Sequence, residues 1–397
     1  MAKPSTAQGY SEQHTLDCER VLVTLLRGLG PWKDSVYLVG GLTPRYLVPA
    51  RPPLVPAHAG TTDVDIVIDL QVLADTDAYA TLEQNLKRMG FERAVNDKQQ
   101  KLSWRWQTRT EHGALMVLEL LADAPHLAGG KVQALPSERT ISALNIPHSS
   151  MVFELHQATP VRAELLGSNG IATESIKHAN LVSFTCLKAL AYEQRFERKD
   201  AHDLVYCLEF APEGLRGAAD AFQRELEGKH GKVVGDSLAI LRSRFVSDAT
   251  TEGYLKDGPV AVSKFELGEA SDFDQREARA LRQREVSDLI DQLLVLLDRK
   301  RSARQQLVHH AAHARRLREV AWGHHHGGLG QAASRERAHA GPLVTERHRV
   351  RRDEELAARL GEGLDDELAA VDGLVVPLVV AVVRAPAHAL DAAASRG

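Results

Sequence analysis

The 397-residue chain predicts an α+β protein: a small mixed sheet flanked by helices, followed by a helical domain and a compositionally distinct tail. Three observations lead there. Short apolar or alternating runs bounded by Gly, Pro and Asn recur up to about residue 170, as half-buried strands require. From Glu174 to Asp298 apolar residues return at helical spacing. After Arg301 the chain has no Lys, Ile, Asn, Phe, Tyr, Met or Cys, and a shift of that kind marks a disordered tail or a reading-frame artefact. The expected parts are an N-terminal helix in 1–33, a sheet domain in 34–170, a helical domain in 171–299 and a low-complexity Ala/Arg/His-rich tail in 300–397.

Taken in order, Thr15–Leu29 reads as an amphipathic helix closed by Gly28-Leu29-Gly30-Pro31. Ser35–Val39 is a strand, Thr43–Val48 a short helix, and Pro49–Gly60, with its prolines, a loop. Asp63–Leu70 is a second strand, and Thr76–Met89 a helix with Asp75 as its N-cap. Lys101–Gln107 and Ala114–Leu121 form a hairpin, and Met151–His156 and Val161–Leu166 a second one. Glu174–Tyr192 and Lys199–Phe210 are helices, and Val286 to Leu297 offers a packing or dimerisation seam.

A formal net charge of −4 excludes global affinity for nucleic acid or an anionic membrane. Three cysteines, Cys18, Cys186 and Cys207, lack metal-site spacing and fit a reducing cytosol. Residues 1–13 are polar, unlike a signal peptide. The run Leu374–Val383 is shorter than the ~20 residues that span a bilayer. A soluble cytoplasmic protein with no membrane partner is expected.

Chemistry concentrates between Tyr37 and Leu70, where an apolar strand runs into Gly40-Gly41 and a second strand carries Asp63-Val64-Asp65. Strand side chains alternate faces, so the two carboxylates share one side. Like charges so placed favour an intervening divalent cation. A Gly-Gly turn lets backbone approach a ligand and opens a helix whose free N–H groups receive phosphate. Glu119, in the apolar run Leu115–Leu121, is a third carboxylate, with Asp123 a rival of the same parity and Asp69 a cap.

This order of features resembles the active-site core of the DNA polymerase beta-like nucleotidyltransferase superfamily. Lys188-Ala189-Leu190-Ala191, Arg195 and Lys199-Asp200-Ala201-His202-Asp203-Leu204 resemble the helical part of its bacterial branch, including toxin-like members of abortive-infection systems. The resemblance covers roughly Tyr37 to Phe210. It implies two Mg²⁺ ions on Asp63, Asp65 and Glu119, a nucleoside triphosphate as substrate, and transfer of its nucleoside monophosphate to RNA (a tRNA end), a protein or a small molecule. It further implies nucleotide contacts from Gly40, Gly41, Thr43, Arg45, Lys188, Lys199 and Asp200, and a cognate antitoxin as partner. The Pro-rich insert between Gly41 and Asp63 and the Glu at the third position depart from the usual pattern.

Plainer roles compete for several of these residues. Glu119 can pair with Arg105 or Arg109 across a hairpin, and Lys199 with Asp203 at i,i+4. Thr43 and Arg45 can serve the helix surface, and Trp104 and Trp106 the core. A catalytically silent module that binds nucleotide or a partner is the alternative to the enzyme. His324-His325-His326, flanked by glycines, reads as an adventitious metal site at most.

Overall fold

A computed structural model describes residues 3–75, 81–136, 140–269 and 272–327 of the chain. It is a mixed α+β structure. In order come α1 (Glu12–Leu29), β1 (Val36–Val39), α2 (Pro44–Leu47), β2 (Asp63–Ile68), α3 (Leu70–Ala74), α4 (Leu82–Arg88), β3 (Glu92–Val95), β4 (Lys101–Arg109), β5 (Leu115–Ala122), β6 (Val132–Ala134), β7 (Ser142–Asn145), β8 (His156–Glu164) and β9 (Ile171–Ala179). Six helices follow: α5 (Leu181–Arg195), α6 (Arg198–Glu209), α7 (Gly214–Leu226), α8 (Gly231–Phe245), α9 (Asp257–Leu267) and α10 (Phe273–Gly327). Residues 1–312 form one compact unit; of the second, 313–397, only the end of α10 lies among the described residues.

The strands lie in the order β3-β4-β5-β2-β1-β9-β8, with β7 also beside β5 and β6 beside β7. Parallel pairings (β1 with β9, β2 with β5) alternate with antiparallel ones (β1 with β2, β4 with β5), so the sheet is mixed. The period of two along β2 divides the interior. Val64, Ile66 and Ile68 pack with α1 residues Val21, Leu22, Leu25 and Leu26 and with α4 residues Leu82 and Leu86. Val67, with Tyr37 and Val39 of β1, joins instead the core built by α5, α6 and the later helices. Each buried aliphatic side chain contributes roughly 1.5–3 kcal/mol, so a one-residue slip of β2 would forfeit both cores. Asp63 and Asp65 share the parity of Val67 and face the helical side.

Local chemistry accounts for the ends. Ser11 caps α1 by accepting the His14 N–H, and Asn180 caps α5 by accepting the Ser183 N–H. Thr81 and Gln84 close a capping box on α4. Several expectations need correction. Asp75 ends α3 instead of capping a helix, Thr81 is the cap, and residues 76–80 lie outside the described ones. Asp69 is a cap as expected, accepting from Gln71 and Val72 N–H groups at the start of α3. The second hairpin is formed by β8 and β9, turning through Leu165–Gly170, and Met151 sits in a 3-10 turn. Glu174 therefore lies on a strand. The apolar residues Ile176 and Ala179 fit a helical stripe with those of α5 by coincidence of spacing, while the β-branched Ile171, Thr173 and Ile176 and the two glycines at 167 and 170 mark the hairpin.

The expected boundary at 170/171 falls within the β8–β9 hairpin, where its turn meets β9. Val286, Ile290, Leu293, Leu294 and Leu297 are buried against Phe222, Leu241 and Phe245, so the seam is used within the chain. The helix α10 continues through the expected start of the tail to Gly327, so 300–327 is helical; the rest of that tail, 328–397, and the side chains of His324–His326 lie outside the described residues. Cys18, Cys186 and Cys207 are free and buried. No helix among the described residues is long and apolar enough to cross a membrane.

Candidate active site

β1 ends in a 3-10 turn, Gly40–Leu42, beneath the carboxylates of β2. Val39 stands opposite Asp65, and Asp65 in turn opposite Glu119 of β5, so one transverse row of the sheet carries the turn and two acids. Gly40 adopts φ +72°, and a Cβ there would overlap the Asp65 carboxylate. A Cβ on Gly41 would stand 2.6 Å from Thr61 Oγ1 and 3.0 Å from Lys199 Nζ. Both glycines are thus required by close approach. The Pro-rich insert loops out over α6, where Tyr206 donates to Pro56 O at 2.9 Å, and returns beside Gly41. Its length therefore does not separate the glycines from the acids.

Asp63, Asp65 and Glu119 all line one cavity of ≈ 560 Å³ between the sheet and α5–α6, a size that suits a small ligand. Burial pushes the Asp65 carboxyl well above the usual range, and the charges of Asp63 and Glu119 add to the effect. Glu119 is raised for the same reasons, burial first and then Asp63, against the pull of Arg105 at 3.2 Å. Asp63 is held below the usual range. Burial opposes this, but Lys3 at 2.7 Å, the Thr61 hydroxyl at 2.9 Å and Lys199 outweigh it. Asp63 Oδ2 is buried with no hydrogen-bond partner among the described residues, the Lys3 ion pair apart.

The opposite wall is a buried charge network from α5 and α6. Lys188 Nζ donates to Asp200 at 2.9 Å and Asp203 at 2.7 Å, and Lys199 Nζ to both Asp203 oxygens at 2.8 and 2.9 Å. Arg195 grips Asp200 through Nε at 2.6 Å and Nη2 at 2.9 Å, a bidentate pair. Asp203 is held well below its ordinary range despite complete burial, because Lys188, Lys199 and His58 surround it. The Lys199–Asp203 pair is therefore buried, not a surface pair. Lys199 is nonetheless lowered, since burial and the Lys188 charge outweigh what Asp203 returns.

His58, His202 and Asp203 converge closely enough to suggest a metal cage. Their hydrogen bonds say otherwise. His58 Nδ1 accepts the Gly60 N–H, which leaves Nε2 to donate to Asp203 at 2.9 Å, and both Asp203 oxygens already accept from lysines. A further dication would meet two ammonium groups, so the cluster is a hydrogen-bonded anchor for the insert. Burial lowers His58 to about 4, with the Asp203 hydrogen bond opposing, and keeps the ring neutral.

Of the expected site residues, Gly40, Gly41, Asp63, Asp65, Glu119, Lys188, Lys199 and Asp200 line the cavity, whereas Thr43 and Arg45 do not. Thr43 is fully buried, and Arg45 is turned to Glu19 of α1 at 2.8 Å. Asp123 is taken up by Ser150, whose hydroxyl donates to it at 2.6 Å, and it does not line the cavity. Trp106 is core, fully buried. Sequence reasoning missed Lys3 and Tyr10 as cavity residues, and nothing local in their polar segment signals it. His58 carried a weak signal, a lone histidine in a Pro-rich insert.

Three carboxylates on the wall of one cavity are hard oxygen donors, the donor chemistry that suits Mg²⁺. Compared with known proteins, the chain matches no family model and no curated sequence.

Proposed function

We propose that the chain is a Mg²⁺-dependent nucleotidyltransferase that moves a nucleoside monophosphate from a triphosphate to an acceptor hydroxyl. The observation that carries this reading is the row Val39–Asp65–Glu119, with the Gly40 turn against Asp65 and Asp63 beside it, opening onto one cavity. Asp63, Asp65 and Glu119 would hold Mg²⁺, which when bound supplies charge stabilisation for the triphosphate and for the attacking and leaving oxygens. The remaining roles belong to the chain. The Gly40-Gly41 turn lets phosphate approach the backbone, and Lys199, beside Gly41, faces the cavity with a cation. Lys188, Arg195, Asp200 and Asp203 fasten α5 to α6 within the helical wall. Glu119, which would hold the ion nearer the acceptor, would help to take the proton of its hydroxyl.

The acceptor is RNA or protein in this proposal, with a cognate antitoxin as regulator, on the strength of the resemblance to toxin-like members. The Arg105–Glu119 pair favours a second reading, a silent nucleotide-binding module, because it ties down the third acid. Pyrophosphate release separates the two. Incubation with Mg²⁺, each of four triphosphates and RNA or protein fractions should release pyrophosphate, and Asp65→Asn should abolish it. Metal-dependent nucleotide binding without release on any fraction would select the silent module.

A further inference from the structure

The segment Lys3–Tyr10 packs into the same cavity as the three acids, and Lys3, Pro4, Ser5 and Tyr10 line it. Lys3 Nζ lies 2.7 Å from Asp63 Oδ2. Its ammonium is stabilised by Asp63, Asp65 and Glu119 together, enough to raise it above the ordinary lysine range although burial opposes this. The segment is fastened on the helical side. Gln8 donates to the Glu266 carbonyl at 2.8 Å, the Tyr10 ring lies 6.0 Å from that of Phe265, and Lys199 Nζ sits 5.4 Å over Tyr10. Gly9 allows the fold-back, since a Cβ there would stand 2.5 Å from Pro4.

We propose that Lys3–Tyr10 is an autoinhibitory strap: Lys3 serves as a tethered cation among Asp63, Asp65 and Glu119, and divalent metal and nucleotide must displace it. This rests on reading those acids as a metal site. Two physical features make the strap displaceable. The Lys3 side chain is 55% exposed while that of Asp63 is 7% exposed, so a side chain that stays largely in solvent reaches a buried acid by its tip. One ammonium also offsets less charge than a dication, so metal wins once its concentration suffices. Departure of Tyr10 would uncover Lys199, leaving that ammonium to face incoming phosphate. Strap and substrate thus compete for the same carboxylates and the same lysine.

Mn²⁺ binding to the full chain, read by electron paramagnetic resonance, tests this. Lys3→Ala should bind Mn²⁺ about tenfold more tightly than the wild type, as expected if the strap is seated about nine-tenths of the time; Lys3→Arg should resemble the wild type. Tyr10→Ala, which loosens the strap without touching the acids, should shift binding in the same direction and covers the case in which Lys3→Ala fails to fold. Equal Mn²⁺ affinity in wild type, Lys3→Ala and Tyr10→Ala, with binding lost in Asp63→Asn, would overturn the strap and leave the metal site standing. Absence of Mn²⁺ binding in every form would overturn both.

Discussion

Gly40 lies directly against the Asp65 carboxylate, with backbone at φ +72° and no room for a side-chain carbon. The contact joins the turn after β1 to the acid on β2, so residue 40 bears on both stability and chemistry. Gly40→Ala should therefore cost about 1–2 kcal/mol from backbone conformation alone, more with the overlap, and should displace Asp65. Thermal unfolding together with Mn²⁺ affinity checks it: both should fall, and an unchanged affinity would separate the turn from the site.

Glu119 and Asp123 share strand parity, but only Glu119 lines the cavity. Glu119→Gln should weaken Mn²⁺ binding by about tenfold or more, whereas Asp123→Asn should leave it nearly unchanged. Calorimetric titration decides. Because Asp65 and Glu119 are raised above ordinary carboxyls, metal must displace protons from them. Affinity should rise with pH through their titration, with proton release that differs between buffers of different ionisation enthalpy.

Asp203 accepts from Lys188, Lys199 and His58 while fully buried. Asp203→Asn should destabilise the fold by roughly 3–5 kcal/mol, since it leaves buried cations without their counter-charge. Denaturant unfolding measures this, and a loss below about 1 kcal/mol, within the range of an exposed pair, would contradict the network's importance.

His58 supplies a pH signature. Its folded value, about 4, lies below the ordinary 6.5, so the neutral ring is favoured by folding. The contribution is fully present above about 6.5 and is lost as pH falls toward 4, to an extent on the order of 3 kcal/mol. Stability curves from pH 7 to pH 4 should therefore be flatter in His58→Gln than in the wild type.

Much of the sheet and part of the site were legible in residue order. Alternation along β2 and β5 announced which acids share a face, and the hairpin of β4 and β5 followed from its polar turn. Legibility ended where two periods overlapped. Ile176 and Ala179 satisfied a helical stripe as well as a strand, so β9 was hidden, and with it the parallel partner of β1. Arg45 stood in a plausible place after the glycines but was captured by Glu19, a tertiary choice with no local mark. Lys3 escaped notice because its partner lies sixty residues away and polar segments have no periodicity to read.

Transfer of a nucleoside monophosphate is distinguished from other phosphoryl chemistry by the position of the label in the triphosphate. With Mg²⁺ and RNA or protein fractions, α-phosphate label should become acid-insoluble while γ-phosphate label leaves as pyrophosphate, and Asp65→Asn should show neither. Transfer of the γ-label, or equal incorporation by wild type and Asp65→Asn, would contradict nucleotidyl transfer at this site.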